Sequence, residues 1–197
     1  GTNAFPATGI ITGINYKTGA LQMGKGGDNN NTQLYEPGFF TNTNEPNKNG
    51  ARTGKVILSG YDIVFNQTGD TWEMTKVTHN GNDVTNGNAG SKFFPLDDIE
   101  NRSDLSNYSE DGSDHNDFFG MRYDISFKLG NYLGALNYTF TGDDDLWVVY
   151  DANKNGTDAG KVILDLGGIH TALKGTVDLW TILLGRDDYN LNDKIKY

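Results

Sequence analysis

Phe119-Gly120-Met121-Arg122-Tyr123-Asp124-Ile125-Ser126-Phe127-Lys128-Leu129 places an apolar residue at every second position. Gly120, Arg122, Asp124, Ser126 and Lys128 fill the positions between. Side chains on a strand point to alternate faces, so a period of two over this length predicts a half-buried antiparallel strand. Leu136 to Phe140 repeats the pattern, with Leu136, Tyr138 and Phe140 inward. Leu146 to Tyr150 and Val162 to Leu166 are apolar on both faces except at Asp165, which suits central strands of a packed sandwich.

Upstream, Tyr61 to Phe65 and Thr71 to Val77 flank Gln67-Thr68-Gly69-Asp70, the pattern of a hairpin with a short loop. Ile10 to Ile14, Leu21 to Met23 and Lys55 to Leu58 read as shorter strands. Asn-Gly pairs begin at Asn49, Asn80, Asn86 and Asn155, each a turn or hairpin tip. Two stretches read as long loops: Gly24 to Gly54, rich in Asn, Gly and Pro, and Pro95 to Asp117, dense in Asp and Glu. Such loops in a compact domain carry function or are disordered. The fold class expected is all-β, an antiparallel β-sandwich with long loops, as one domain over residues 1–197.

Composition limits the functions available. The chain has 197 residues and a formal charge of -10. That length buries a sizeable core without covalent staples. The charge argues against a nucleic-acid or anionic-membrane partner, and it suits solubility or capture of hard cations. There is no Cys, so disulfides and thiolate-metal sites are excluded. No apolar run is long enough for a membrane span or a signal-peptide core. The chain opens on Gly1-Thr2-Asn3 rather than Met, and reads as a piece of a longer protein.

Asp143, Asp144 and Asp145 lie between two apolar strands. Adjacent carboxylates repel, and a divalent cation removes that cost, since calcium accepts several oxygens in flexible geometry. The alternative is a solvated hairpin turn without an ion.

Thr139-Phe140-Thr141-Gly142-Asp143-Asp144-Asp145-Leu146-Trp147-Val148, followed by Leu164-Asp165-Leu166-Gly167-Gly168-Ile169-His170, closely resembles the fibro-slime domain. Phe93-Phe94-Pro95, Phe118-Phe119-Gly120-Met121 and Gly175-Thr176-Val177-Asp178-Leu179 match further blocks of that family. The fibro-slime domain is similar to the protective-antigen (PA-fourteen) lectin-like β-sandwich superfamily. Ile10-Ile11-Thr12-Gly13 and Ala20-Leu21-Gln22-Met23-Gly24 look like the form carried by Gram-positive cell-wall adhesins. The resemblance implies a jelly-roll type sandwich. In its lectin members two consecutive Asp joined by a cis peptide hold calcium, and the calcium holds sugar hydroxyls; the matching pair is Asp143 and Asp144. Asp145 stands where many relatives have Gly. The lectins complete the calcium shell from a later loop, whose counterpart is Arg186 to Asn192 or lies beyond Tyr197 with the family's C-terminal strands.

Asp151-Ala152-Asn153-Lys154-Asn155-Gly156-Thr157-Asp158 follows the first half of an EF-hand-like loop, with Val162 where the closing acid belongs. Asp151, Asn153, Asn155 and Asp158 are therefore secondary calcium candidates, against a plain hairpin tip at Asn155-Gly156. His170, after Gly167-Gly168, is either a ligand or a residue that bonds Asp165 and fixes the loop. His115 sits beside Asp114 and Asp117, without the spacing of a zinc motif. Trp147 reads as core packing, and Trp72 and Trp180 as core or exposed. Tyr16, Tyr35, Phe39 and Phe40, in or near the first long loop, are the candidates for binding aromatics, with anchoring of that loop the alternative for Phe39-Phe40. No Ser or His catalytic motif and no phosphate-binding loop is present, so an enzyme is not expected.

The expectation is a calcium-dependent, carbohydrate-binding adhesin domain of a bacterial surface protein. It would be extracellular and anchored to the cell wall through other regions, with a glycan or a partner-cell surface protein as ligand. The competing reading is a non-lectin protein-binding or architectural module in which calcium only stabilises loops. A Lys-to-Asn isopeptide crosslink is also open, although no local pattern marks a triad.

Overall fold

A computed structural model describes residues 5–6, 8–24, 40, 58–85, 93–97, 115, 119–151 and 160–197. In chain order the elements are β1 (Phe5–Pro6), β2 (Ile11–Ile14), β3 (Leu21–Met23), β4 (Tyr61–Thr68), β5 (Thr71–His79), β6 (Asn82–Asp83), β7 (Asn137–Gly142), β8 (Leu146–Tyr150), β9 (Lys161–Leu166), β10 (Gly168–Ile169), β11 (Leu173–Asp178), α1 (Leu179–Leu184) and α2 (Leu191–Lys196). Strands dominate, and they form small sheets: β1 with β10, β2 with β3, β4 with β5 and β6, β7 with β11, β8 with β9. Every pairing is antiparallel. The chain divides into two compact units, Gly1–Thr43 with Ile125–Tyr197, and Asn44–Asp124.

In the first unit, Ile10, Ile11, Ile14 and Leu21 form a buried cluster, and Tyr16, Phe40, Trp147 and Val149 pack against it. β2 lies beside β8 and β9. The Tyr16 hydroxyl donates to the Val149 carbonyl at 3.0 Å, so its ring joins the core while its polar end is satisfied. β7 presents Tyr138, Phe140 and Gly142 inward, as the alternation predicts. Its partner β11 lies against β9. A Cβ on Gly175 would stand 2.9 Å from the Cδ1 atoms of Leu164 and Leu166, so glycine is what lets the two strands approach.

The two helices end this unit. Asp178 caps α1 by accepting from the Trp180 amide at 3.0 Å, and Gly185 ends it with φ 70°. Trp180 is fully buried, and its indole N–H donates to the Gly134 carbonyl at 2.8 Å. Asn190 and Asp193 form a capping box on α2. Lys194 Nζ donates to the carbonyls of Leu133 and Gly134 and lies 5.1 Å from the Trp180 ring and 5.2 Å from the Tyr189 ring. The stretch from Arg186 to Asn192, expected as a loop, thus includes the start of a helix.

The second unit is built on the β4–β5 hairpin. Its ladder runs from Tyr61 opposite His79 to Thr68 opposite Thr71, with a bulge between Val64 and Phe65. The strands extend further than expected, taking in Gln67 and Thr68 and leaving Gly69 and Asp70 as the turn. Asn80 and Gly81 both have positive φ, 49° and 84°. That is the backbone of a tight hairpin turn, and it joins β5 to β6. Val77 and Thr85 are fully buried, linked by a hydrogen bond from the Val77 amide to Thr85 Oγ1 at 3.1 Å. Tyr61 stacks on His79 with ring centroids 4.3 Å apart, and Phe93 meets Tyr61 and Phe119 edge-on.

One expected strand is not there. Residues 119–129 pair with no other strand among the described residues, and Met121, Ile125 and Phe127 are 44%, 58% and 52% exposed. Alternation selects a face, but a strand also needs a neighbour that accepts its backbone hydrogen bonds. Leu58 is irregular, and the rest of Lys55 to Leu58 lies outside the described residues, as do most of the two long loops, Asn49, Asn86 and Asn155.

Candidate functional site

The acidic turn joins β7 to β8, and β9 and β10 stand beside it. Asp143 and Asp144 are exposed in the bend, and Asp145 is half-buried. Asp145 Oδ1 accepts a short hydrogen bond from the Gly168 amide. Asp165, opposite Trp147 in the β8–β9 ladder, uses both oxygens: Oδ2 accepts from the Gly9 amide at 2.7 Å, and Oδ1 from the Gly167 amide at 3.0 Å. His170 Nε2 lies 3.0 Å from the Leu166 carbonyl and Nδ1 lies 2.9 Å from the Thr171 carbonyl. Carbonyls only accept, so the doubly protonated ring satisfies both contacts.

The charges agree with that geometry. Burial pushes the Asp145 carboxyl above its usual range; the Gly168 amide and His170 oppose this, and Asp165 adds to it. The bond to Leu166 raises the His170 ring above its usual value; desolvation opposes it, while Thr171, Asp145 and Asp143 reinforce it. The cluster is therefore a latch that holds the Gly167–Gly168 turn and the chain at Gly9 to the β8–β9 hairpin. His170 fixes this loop through two carbonyls, not through the Asp165 side chain.

Among the described residues, no three or more His, Asp or Glu side chains group as a metal site. The Asp143–Asp144 peptide is trans, because no described peptide is cis. This differs from the cis pair that the resemblance implied. Asp145 gives one oxygen and Asp165 both oxygens to backbone amides, and Asp143 and Asp144 are exposed in the bend; calcium takes six to eight oxygens, so these two side chains alone do not fill its shell. Asp151 is half-buried after β8, and Asn153, Asn155 and Asp158 lie outside the described residues. Of the loop aromatics, Tyr16 and Phe40 pack on the core, while Tyr35 and Phe39 are outside the described residues.

His115 does not gather a described trio. Its Nδ1 lies 2.5 Å from Asp97 Oδ2, its ring stacks on Phe94 at 3.8 Å, and Asp114 and Asp117 lie outside the described residues.

The sequence left Trp72 undecided between core and surface. The ladder settles it: Phe65 faces Met74 and Gln67 faces Trp72 across the hairpin, so these four share one side. Trp72 is 62% exposed and Met74 43%. The opposite side carries Asn66 facing Glu73. The signal was in the sequence: Trp72 and Met74 alternate beside a Gly-Asp turn, where a hairpin tip projects beyond the core.

No family model matches the chain, and no solved structure matches it. It is similar to proteins of Dictyostelium discoideum. Protein psiB is 29% identical over 161 residues, covering 80% of this chain and 25% of psiB. Protein psiC is 37% identical over 94 residues, covering 45% of this chain and 15% of psiC. Protein psiI is 27% identical over 163 residues, covering 81% of this chain and 20% of psiI. The chain thus spans a quarter or less of these relatives. They are eukaryotic proteins, which overturns the expected bacterial fibro-slime or PA-fourteen cell-wall adhesin and, with it, the calcium-dependent carbohydrate-binding function. The physical reason lies in the blocks that prompted it. Asp145, Asp165, Gly167, Gly168 and His170 are spaced as the latch requires, so those blocks record a way of closing a β-hairpin against its neighbour.

Proposed function

We propose that this chain is a non-catalytic protein-recognition module within a larger protein. The observation that carries the reading is the projecting β4–β5 hairpin, which holds Trp72 and Met74 in solvent on one face. Aromatic and methionine side chains are costly to leave in water and are enriched where proteins meet. The latch supports the absence of catalysis, since its carboxylates and imidazole are engaged by the chain's own backbone. The small sheets of the first unit are read as parts of one β-sandwich, with β2 beside β8 and β9 and β11 on β9.

Photocrosslinking tests this. A photoreactive phenylalanine analogue at position 72 of the full-length protein, in the cells that produce it, should yield a defined protein adduct. The same analogue at position 73, on the opposite face, should not. Equal labelling from the two positions, or no protein adduct from 72, overturns the reading.

A further inference from the structure

Asn66-Gln67-Thr68 and Asn137-Tyr138-Thr139 share one pattern: an asparagine, a residue other than proline, and a threonine. That pattern is the acceptor sequence for glycans on asparagine. A motif this short recurs by chance, so its structural setting decides. Both triplets lie on strands, Asn66 to Thr68 closing β4 and Asn137 to Thr139 opening β7. Residues i and i+2 of a strand share a face, so each triplet presents its amide and its hydroxyl side by side. Both faces are polar and open. On the first, Asn66 faces Glu73 and Thr68 faces Thr71, and all four are exposed. On the second, Asn137 and Thr139 are exposed while Tyr138 turns inward. Opposite Thr139 stands Thr176, also exposed, with the two hydroxyls 2.9 Å apart. A glycan is bulky and hydrophilic, so it needs a side chain that already points into solvent. Asn66 lies on the side of the hairpin opposite Trp72, so a glycan there leaves the Trp72 and Met74 side uncovered.

We propose that Asn66 and Asn137 carry N-linked oligosaccharides. The donor is an oligosaccharide joined through its anomeric carbon to a lipid diphosphate, and a transferase brings it to the chain. The asparagine Nδ2 forms a bond to the anomeric carbon. The bond from that carbon to the diphosphate oxygen breaks, the lipid diphosphate leaves with the electron pair, and one amide proton passes to a base. Nothing is oxidised or reduced. Asn30, Asn101, Asn107 and Asn155 begin further sequences of this kind and lie outside the described residues. The modification is independent of the protein-recognition reading, since it uses neither Trp72 nor Met74.

The test uses the full-length protein recovered from the cells that produce it. A peptide-N-glycosidase acting in heavy-oxygen water converts a glycosylated asparagine to an aspartate that carries the heavy oxygen. Peptide mass spectrometry reads that label position by position, and a digest without the enzyme corrects for spontaneous deamidation. Asn66 and Asn137 should both be labelled. Thr68→Ala should lose the label at Asn66 and keep it at Asn137, and Thr139→Ala should do the reverse, so each variant carries its own control for folding and export. Thr68→Ser and Thr139→Ser retain the hydroxyl and should retain the label. An unlabelled Asn66 or Asn137 in the native protein overturns the proposal for that residue. Label that is equal with and without the enzyme, or that survives the alanine variants, overturns it for both.

Discussion

Asp145 and Asp165 are both acids beside the same turn, yet they answer differently to the loss of a charge. Asp145 spends one oxygen on one amide, at Gly168. Asparagine presents the same single acceptor and escapes the desolvation that raises this carboxyl. Asp145→Asn should therefore change stability by less than about 1 kcal/mol, and Asp145→Ala, which strands the Gly168 amide, should cost about 1–2 kcal/mol. Asp165 spends two oxygens on two amides. An asparagine there sets its NH2 against one of those amides, so Asp165→Asn should cost about 2 kcal/mol or more. Urea denaturation of the three variants checks the contrast, and equal costs for the two asparagines would remove the latch argument. His170 gives the latch a pH dependence. Its folded value is raised, so the folded state favours the proton; the stabilisation is complete below the unfolded value of about 6.5 and is lost as pH rises through the folded one. Asp145 and Asp143 are the acids that act on the ring. The stability gap between the native protein and His170→Ala should shrink from about pH 5 to about pH 8, and a gap that widens would reverse the assignment. The resemblance put Asp143 to Asp145 and His170 in one ordered series of blocks, and the acid run and the glycine pair each mark a turn. It did not show which oxygen meets which amide, since that depends on β9 and Gly9 meeting across most of the chain's length.

Strands whose partners are near in sequence were legible, and elements defined by distant packing were not. β4 and β5 followed from alternation on both sides of one turn, and Asn80-Gly81 supplied the backbone that β6 needs. β7, β8 and β9 were readable for the same reason. The Phe119 to Leu129 stretch had a stronger alternation than any of these and forms no strand, because no described neighbour completes its ladder. α1 and α2 were legible but unread: Asp178 and Gly185 bracket one, and Asn190 with Asp193 opens the other. Six-residue helices carry too little periodicity to announce themselves, so their caps are the signal. The close approach of β11 to β9 also follows from one residue. Gly175→Val places methyls where Leu164 and Leu166 stand and should cost about 1–3 kcal/mol, while Thr176→Val, on the exposed side of β11, loses only the exposed hydroxyl bond to Thr139 and should cost less than about 1 kcal/mol. Thermal unfolding of the pair checks this, and a tolerated valine at 175 would mean that the two strands do not pack as tightly as the glycine indicates.

For the molecule as a whole, the balance between a charge of -10 and the ion pairs decides how salt acts. The described pairs lie at or near the surface: Arg122 with Asp124, and Arg186 with Asp188 and Asp193. Such pairs are worth about 0–1 kcal/mol each and weaken in salt. Ten uncompensated negative charges repel at every separation inside a screening length of about 10 Å at 0.1 M, and salt relieves that repulsion. The repulsive sum outweighs a few exposed pairs, so the thermal midpoint should rise by a few degrees between about 10 mM and about 300 mM NaCl. The fold is held by its apolar clusters and its carboxylate latch against a charge that salt screens. A midpoint that falls with salt would mean that the ion pairs dominate the charge balance.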